Sequence, residues 1–152
     1  MEANERRISA ALLPVLDIPR DGRLLTFGAG SAEVALELAA ARPDVLVVVC
    51  DTTSGVTRMV SDRAVSEKLD NVIVGDTPAG PLVDRALCVD SFSGLQDMEF
   101  ITLRNAVLPG GYAIFADAST SANDIVDKLK KLGYGVADTL DTAENLQIVR
   151  GR

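Results

Sequence analysis

The stretch RLLTFGAGSAEVALELAAARPDVLVVVCD, residues 23–51, reads as strand, glycine turn, helix and strand. Arg23 to Phe27 reads as the first strand, stopped by Gly28-Ala29-Gly30. From about Ser31 to Ala41 the apolar residues Val34, Ala35, Leu38 and Ala39 fall on one helical face. Arg42-Pro43-Asp44 closes that helix, and Val45 to Cys50 follows as an unbroken, β-branched apolar run. Such a run suits a strand buried on both faces of a parallel sheet.

Outward from this unit the alternation continues. Upstream, Asn4 suits a helix cap, and Ile8, Ala11 and Leu12 precede Pro14, which predicts a helix over about 4–13. Downstream, Val56, Met59, Val60 and Ala64 have helical spacing, and Asn71 to Val74 reads as a strand. A turn-rich segment, 77–81, leads to a strand over Arg85 to Val89. A helix follows over about Leu95 to Ala106, and Pro109-Gly110-Gly111 turns into a strand over Tyr112 to Ala116. Ser121 caps a helix carrying Ile125, Leu129 and Leu132, with Gly133 at its C-cap. Strands alternating with helices give right-handed crossovers and a parallel sheet covered on both faces. The last two strands, Tyr134 to Thr139 and Leu146 to Val149, are joined only by Leu140 to Asn145. That is too short for a crossover, so the final strand is expected antiparallel. The fold class is therefore α/β: a three-layer, doubly wound, mostly parallel sheet with an antiparallel last strand, in one domain over residues 1–152.

Composition narrows the function. The formal net charge of −7 disfavours a nucleic-acid partner, whose phosphates need clustered Lys and Arg. The pairs Arg6–Arg7 and Lys130–Lys131 are too small to reverse this. There is no histidine, which removes His bases, triads and His-containing metal sites. The two cysteines, Cys50 and Cys88, read as buried free thiols, and no metal site is expected. No apolar run approaches the ~20 residues of a membrane span. The amino terminus lacks a signal-like apolar stretch, so the expected location is cytoplasmic.

In an open α/β sheet a ligand lies beyond the carboxyl ends of the strands. Those ends carry Gly28, Ala29 and Gly30, then Asp51, then Gly75 and Asp76, then Asp90, Ser91 and Phe92, and finally Asp117. The glycines allow close approach of a ligand to backbone, and the next helix offers free N–H groups to an anion. An acid ending the second strand can accept both hydroxyls of a ribose. The same residues also suit a bare strand-to-helix turn, with Asp51 capping the following helix.

The run Leu24 to Ala32 resembles the first motif of the class I S-adenosylmethionine-dependent methyltransferases. Val48-Val49-Cys50-Asp51 is similar to their acidic second motif, and Asn71 to Asp76 to their strand ending in Gly-Asp. Leu103 to Phe115, with Leu108-Pro109-Gly110-Gly111, resembles their helix and turn before the fifth strand. The resemblance covers about residues 20–150 and implies a Rossmann-like, seven-stranded sheet with its last strand antiparallel. A nicotinamide-binding domain would want a glycine at Glu33 and an all-parallel sheet.

By this resemblance S-adenosylmethionine would be cradled by Thr26, Gly28, Ala29, Gly30, Asp51, Thr52, Gly75, Asp76, Asp90 and Ser91. Gly28 and Gly30 would face the methionine portion, Asp51 the ribose, Asp76 the adenine amino group, and Asp90 and Ser91 the methyl. Thr26 stands where the family commonly has an acid, and Ala32 replaces a third glycine, placing a methyl beside the cofactor. Asp90 is the expected base, with Asp117, Tyr112 and Tyr134 as further candidates. The implied activity is methyl transfer to a small molecule or protein group; the alternative is a non-catalytic scaffold or regulatory subunit. Short loops over the rim imply an open substrate site, or one completed by a partner subunit or a homodimer. An exposed apolar face on the first helix or the terminal hairpin would favour the homodimer.

Overall fold

A computed structural model describes residues 10–28, 31–50, 54–75, 83–89, 92–140 and 146–152. The elements are helix α1 (10–16), β1 (Arg23–Phe27), α2 (Ala32–Ala41), β2 (Leu46–Cys50), α3 (Ser54–Ser66) and β3 (Val72–Gly75). They continue as β4 (Val83–Val89), a 3-10 turn at Phe92–Gly94, α4 (Asp97–Ala106), β5 (Val107–Asp117), α5 (Ala122–Lys131), β6 (Ala137–Leu140) and β7 (Gln147–Gly151). The strands form one sheet in the order β3-β2-β1-β4-β5-β7-β6. The first five are mutually parallel, while β7 runs antiparallel to both β5 and β6. The antiparallel end follows from the short link before β7.

Side chains alternate across each strand, and the two faces build two cores. On the first face Leu24, Val47, Val49, Leu87 and Ile114 pack with Leu12 and Leu16 of α1, Leu38 of α2 and Val60 of α3. On the second face Leu25, Phe27, Cys88, Phe115 and Val149 pack with Phe100 and Leu103 of α4 and Ile125 and Leu129 of α5. Phe92, Phe100, Phe115 and Tyr134 make a chain of tilted and edge-on ring contacts through the second core. Phe27 is in register with Cys50 on one side and Cys88 on the other. The thiols are thus two strand spacings apart, roughly 10 Å, beyond the reach of a disulfide with each other, and both are buried.

Three of the boundaries that differ from the sequence expectation do so for a local reason. The first helix does not stop before Pro14 but runs on to residue 16; its expected start lies outside the described residues. Proline removes only its own N–H, and its φ is helical, so the chain can continue where packing favours it. Leu16 is completely buried. The last carbonyls of α1 are also capped from the sheet. Arg85 donates from Nε to the Leu16 carbonyl at 2.6 Å and from Nη2 to that of Asp17 at 3.1 Å. The Tyr112 hydroxyl donates to Val15 at 2.7 Å, with the Leu16 carbonyl at 2.9 Å. The fifth strand begins at Val107, not Tyr112, because Pro109-Gly110-Gly111 is a bulge inside it. Val83 pairs with Val107 and Arg85 with Tyr112, so the segment is taken up without ending the ladder. Gly110 has φ +86°, and a Cβ on Gly111 would collide with the Asp84 carbonyl. The sixth strand starts at Ala137 rather than Tyr134. Gly133 at φ +92° ends α5, and the Tyr134 amide donates back to the Leu129 carbonyl at 3.0 Å, so both belong to the helix cap.

Candidate cofactor site

The register brings five strand ends to one rim. Phe27, Cys50 and Gly75 are successive partners across β1, β2 and β3, while Phe27 pairs with Cys88 and Val89 with Ala116. Strand order reverses between β1 and β4, and there the rim is clasped by Ser31. The Ser31 hydroxyl donates to the Phe27 carbonyl at 2.9 Å and accepts from the Val89 amide at 2.8 Å. Its own amide donates to the Gly28 carbonyl at 3.1 Å, and Gly28 has φ +93°, a left-handed conformation that disfavours a side chain. Because this hydroxyl is spent on the strands, Ser31 gives α2 no side-chain cap. The first N–H groups of α2 thus receive no cap from the Ser31 side chain, and a helix start is where an anionic or carboxylate group is best held.

Thr26 lies between Val49 and Leu87 in register, wholly buried, and its Oγ1 has no hydrogen-bond partner among the described residues. It puts an uncharged oxygen where the resembling family carries an acid. Gly75 ends β3 in open space: a Cβ there would meet nothing within 4 Å. Ala32 is buried in the first-face core. Ala29, Gly30, Asp51, Thr52, Asp76, Asp90 and Ser91 lie outside the described residues.

Among the candidate bases, three are committed elsewhere. The buried Asp117 carboxylate accepts on Oδ1 from the Ser119 amide at 2.8 Å, the Ser119 hydroxyl at 3.0 Å and the Thr120 amide at 2.9 Å. It holds the turn from β5 into α5. Tyr112 lies toward the opposite rim and is bonded to the end of α1. Tyr134 donates to the Phe100 carbonyl at 2.7 Å, and burial pushes its phenol well above the usual range. Ser31 is the residue that sequence reasoning passed over; its only mark is a small hydroxyl directly after Gly-x-Gly.

No protein-family model matches the chain, and no curated protein does. Solved structures do. A SAM-dependent methyltransferase from Aquifex aeolicus superimposes with a TM-score of 0.78 at 15% identity, over 92% of this chain and 86% of that one. A precorrin-6y C5,15-methyltransferase from Geobacter metallireducens gives 0.75 at 17% identity, over 96% and 87%. The methyltransferase SibL, in its apo form, gives 0.77 at 20% identity over 99% of this chain, which spans 56% of that protein. With the strand order above, these matches establish the class I methyltransferase fold.

Proposed function

We propose that this chain binds S-adenosylmethionine at the carboxyl rim of its parallel strands and transfers the methyl group to a small molecule or an exposed protein group. The observation that carries the reading is the rim at the β1–β4 reversal. A left-handed glycine turn, a Ser31 clasp across both strands and a helix start without a side-chain cap from Ser31 meet there. The residues present fit the group: Gly28 admits close backbone approach, the α2 N–H groups suit the methionine carboxylate, and Thr26 Oγ1 is a buried polar atom with no partner among the described residues. Asp51 and Thr52 would hold the ribose, Gly75 and Asp76 the adenine edge, and Asp90 and Ser91 the floor beside the reacting carbon.

When bound, the cofactor supplies an electrophilic sulfonium methyl that leaves in an in-line displacement. The chain's part is positioning, which alone can account for roughly 7–11 kcal/mol of barrier reduction. With Asp117, Tyr112 and Tyr134 committed, Asp90 is the acid left to take a proton from an acceptor that must lose one. A second reading, a methyltransferase-like scaffold with little cofactor affinity, draws on Thr26. The ammonium of the cofactor would meet no carboxylate from β1.

Calorimetric titration with S-adenosylhomocysteine separates the two. Binding is expected, and Asp51→Ala should weaken it about ten- to a hundredfold, the loss of a charge-assisted pair of hydrogen bonds. Neither heat nor thermal shift at roughly millimolar ligand would overturn the proposal, since ligand far above its Kd must stabilise the fold.

A further inference from the structure

A parallel sheet buries its strands on both faces, yet β3, the outermost strand beside β2, leaves Val72 and Val74 only partly buried on its α3 side. Its sequence, Val-Ile-Val-Gly, has none of the Lys or Pro residues that blunt a free edge. A groove of about 610 Å³ runs between this strand and the end of α3, with Ala64, Leu69, Val72 and Val74 in its lining. Val65, on the last turn of α3, is 79% exposed at its margin. By contrast Leu12 and Leu16 of the first helix are fully buried, so the open apolar face lies on α3 and β3.

The charges around this face are arranged symmetrically about Val65. Asp62 and Lys68 stand three residues before and after it; both are exposed, and neither makes an ion pair among the described residues. Residues three apart share a helix face. Lys68 extends that face as the left-handed residue of a Schellman turn. It has φ +57°, its amide donates to the Val65 carbonyl at 3.2 Å, and the Leu69 amide donates to Ala64 at 2.8 Å. The exposed cations Arg58 and Lys68 match the exposed anions Asp62 and Asp70, while Arg63 is paired with Glu33 of α2 and with Glu67, on a chain whose net charge is −7.

We propose that this face joins two copies of the chain across a two-fold axis through Val65. Such an axis sets position 62 of one copy opposite position 68 of the other. Each Asp62 then meets the second copy's Lys68, Val65 packs on its own symmetry mate, and the two apolar grooves close on each other. An isologous contact must be self-complementary, and this stripe is. Two copies of an acidic chain repel in general, so a locally neutral patch is where they can meet. The inference is independent of the methyl-transfer reading.

Sedimentation over a dilution series tests it. The wild type is expected to be a dimer that dissociates on dilution. Val65→Glu sets two carboxylates against each other and should raise the dimer Kd roughly a hundredfold, with circular dichroism unchanged because the residue is exposed. Lys68→Asp should raise it about tenfold, and Asp is tolerated at left-handed φ. The swap Asp62→Lys with Lys68→Asp should restore the wild-type Kd to within about threefold. A wild type monomeric at every concentration would overturn the proposal and leave the groove to a different chain. A dimer indifferent to Val65→Glu, or a swap that fails to restore association, would overturn it equally.

Discussion

Thr26→Val isolates a single atom. Thr26 is wholly buried, flanked in register by Val49 and Leu87, and its hydroxyl has no partner among the described residues. Burying a hydroxyl without a hydrogen bond costs about 1–3 kcal/mol by mutational measure. Valine keeps the side chain's shape and removes that cost, so the variant is expected to be more stable by about that amount. For a chain of this size each kcal/mol moves Tm by about 2–4 °C, giving a rise of several degrees. Urea denaturation should show a higher midpoint with an unchanged slope, since no additional surface is exposed. Thr26→Ser keeps the hydroxyl but opens a methyl-sized void, and should lose about 1 kcal/mol. A destabilised Thr26→Val would refute the reasoning, because it would mean that the hydroxyl is hydrogen-bonded in the folded protein.

Ser31→Ala removes the clasp between β1 and β4 and should cost about 1–3 kcal/mol in urea denaturation, with S-adenosylhomocysteine binding weakened in parallel. Gly111→Ala drives a methyl into the Asp84 carbonyl and should cost at least about 1–3 kcal/mol, whereas Gly75→Ala, in open space, should change Tm little. Asp44 is held well below the usual carboxylate range by the Arg42 guanidinium and by the Asp21 amide. A lowered folded-state value contributes stability that is present above the unfolded value, about 4, and lost as pH falls through the folded one. Wild type should therefore exceed Asp44→Asn in stability by a constant margin above about pH 4, and the margin should close as pH falls below that. A margin that does not close in acid would count against the pair.

The elements that the sequence made legible are those whose pattern is local. Val45 to Cys50 announces a buried strand because every side chain is apolar, and it loses only Val45, whose amide donates back to the Arg42 carbonyl at 3.0 Å. The antiparallel end was readable as arithmetic, since Leu140 to Asn145 cannot hold a crossover. Pro14 misled because the burial of Leu16 and the Arg85 and Tyr112 caps come from residues about 70 to 100 positions away. The Pro-Gly-Gly bulge misled similarly: a turn signature was absorbed by pairing with β4. At the site, residue types at the strand ends were readable, but the Ser31 clasp was not, because Val89 is 58 positions distant. Asp117 carried a usable local sign, since Asp-x-Ser-Thr is a sequence in which a carboxylate bonds the backbone just ahead of it.

Amide chemical-shift mapping during titration with S-adenosylhomocysteine tests the central claim most directly. The account expects the largest shifts at Gly28, Ser31, Gly75 and Val89, around the reversal of strand order. Shifts confined to the opposite rim, where Arg104, Pro109 and Tyr134 line a cavity of about 230 Å³, would contradict it, as would a spectrum that does not respond.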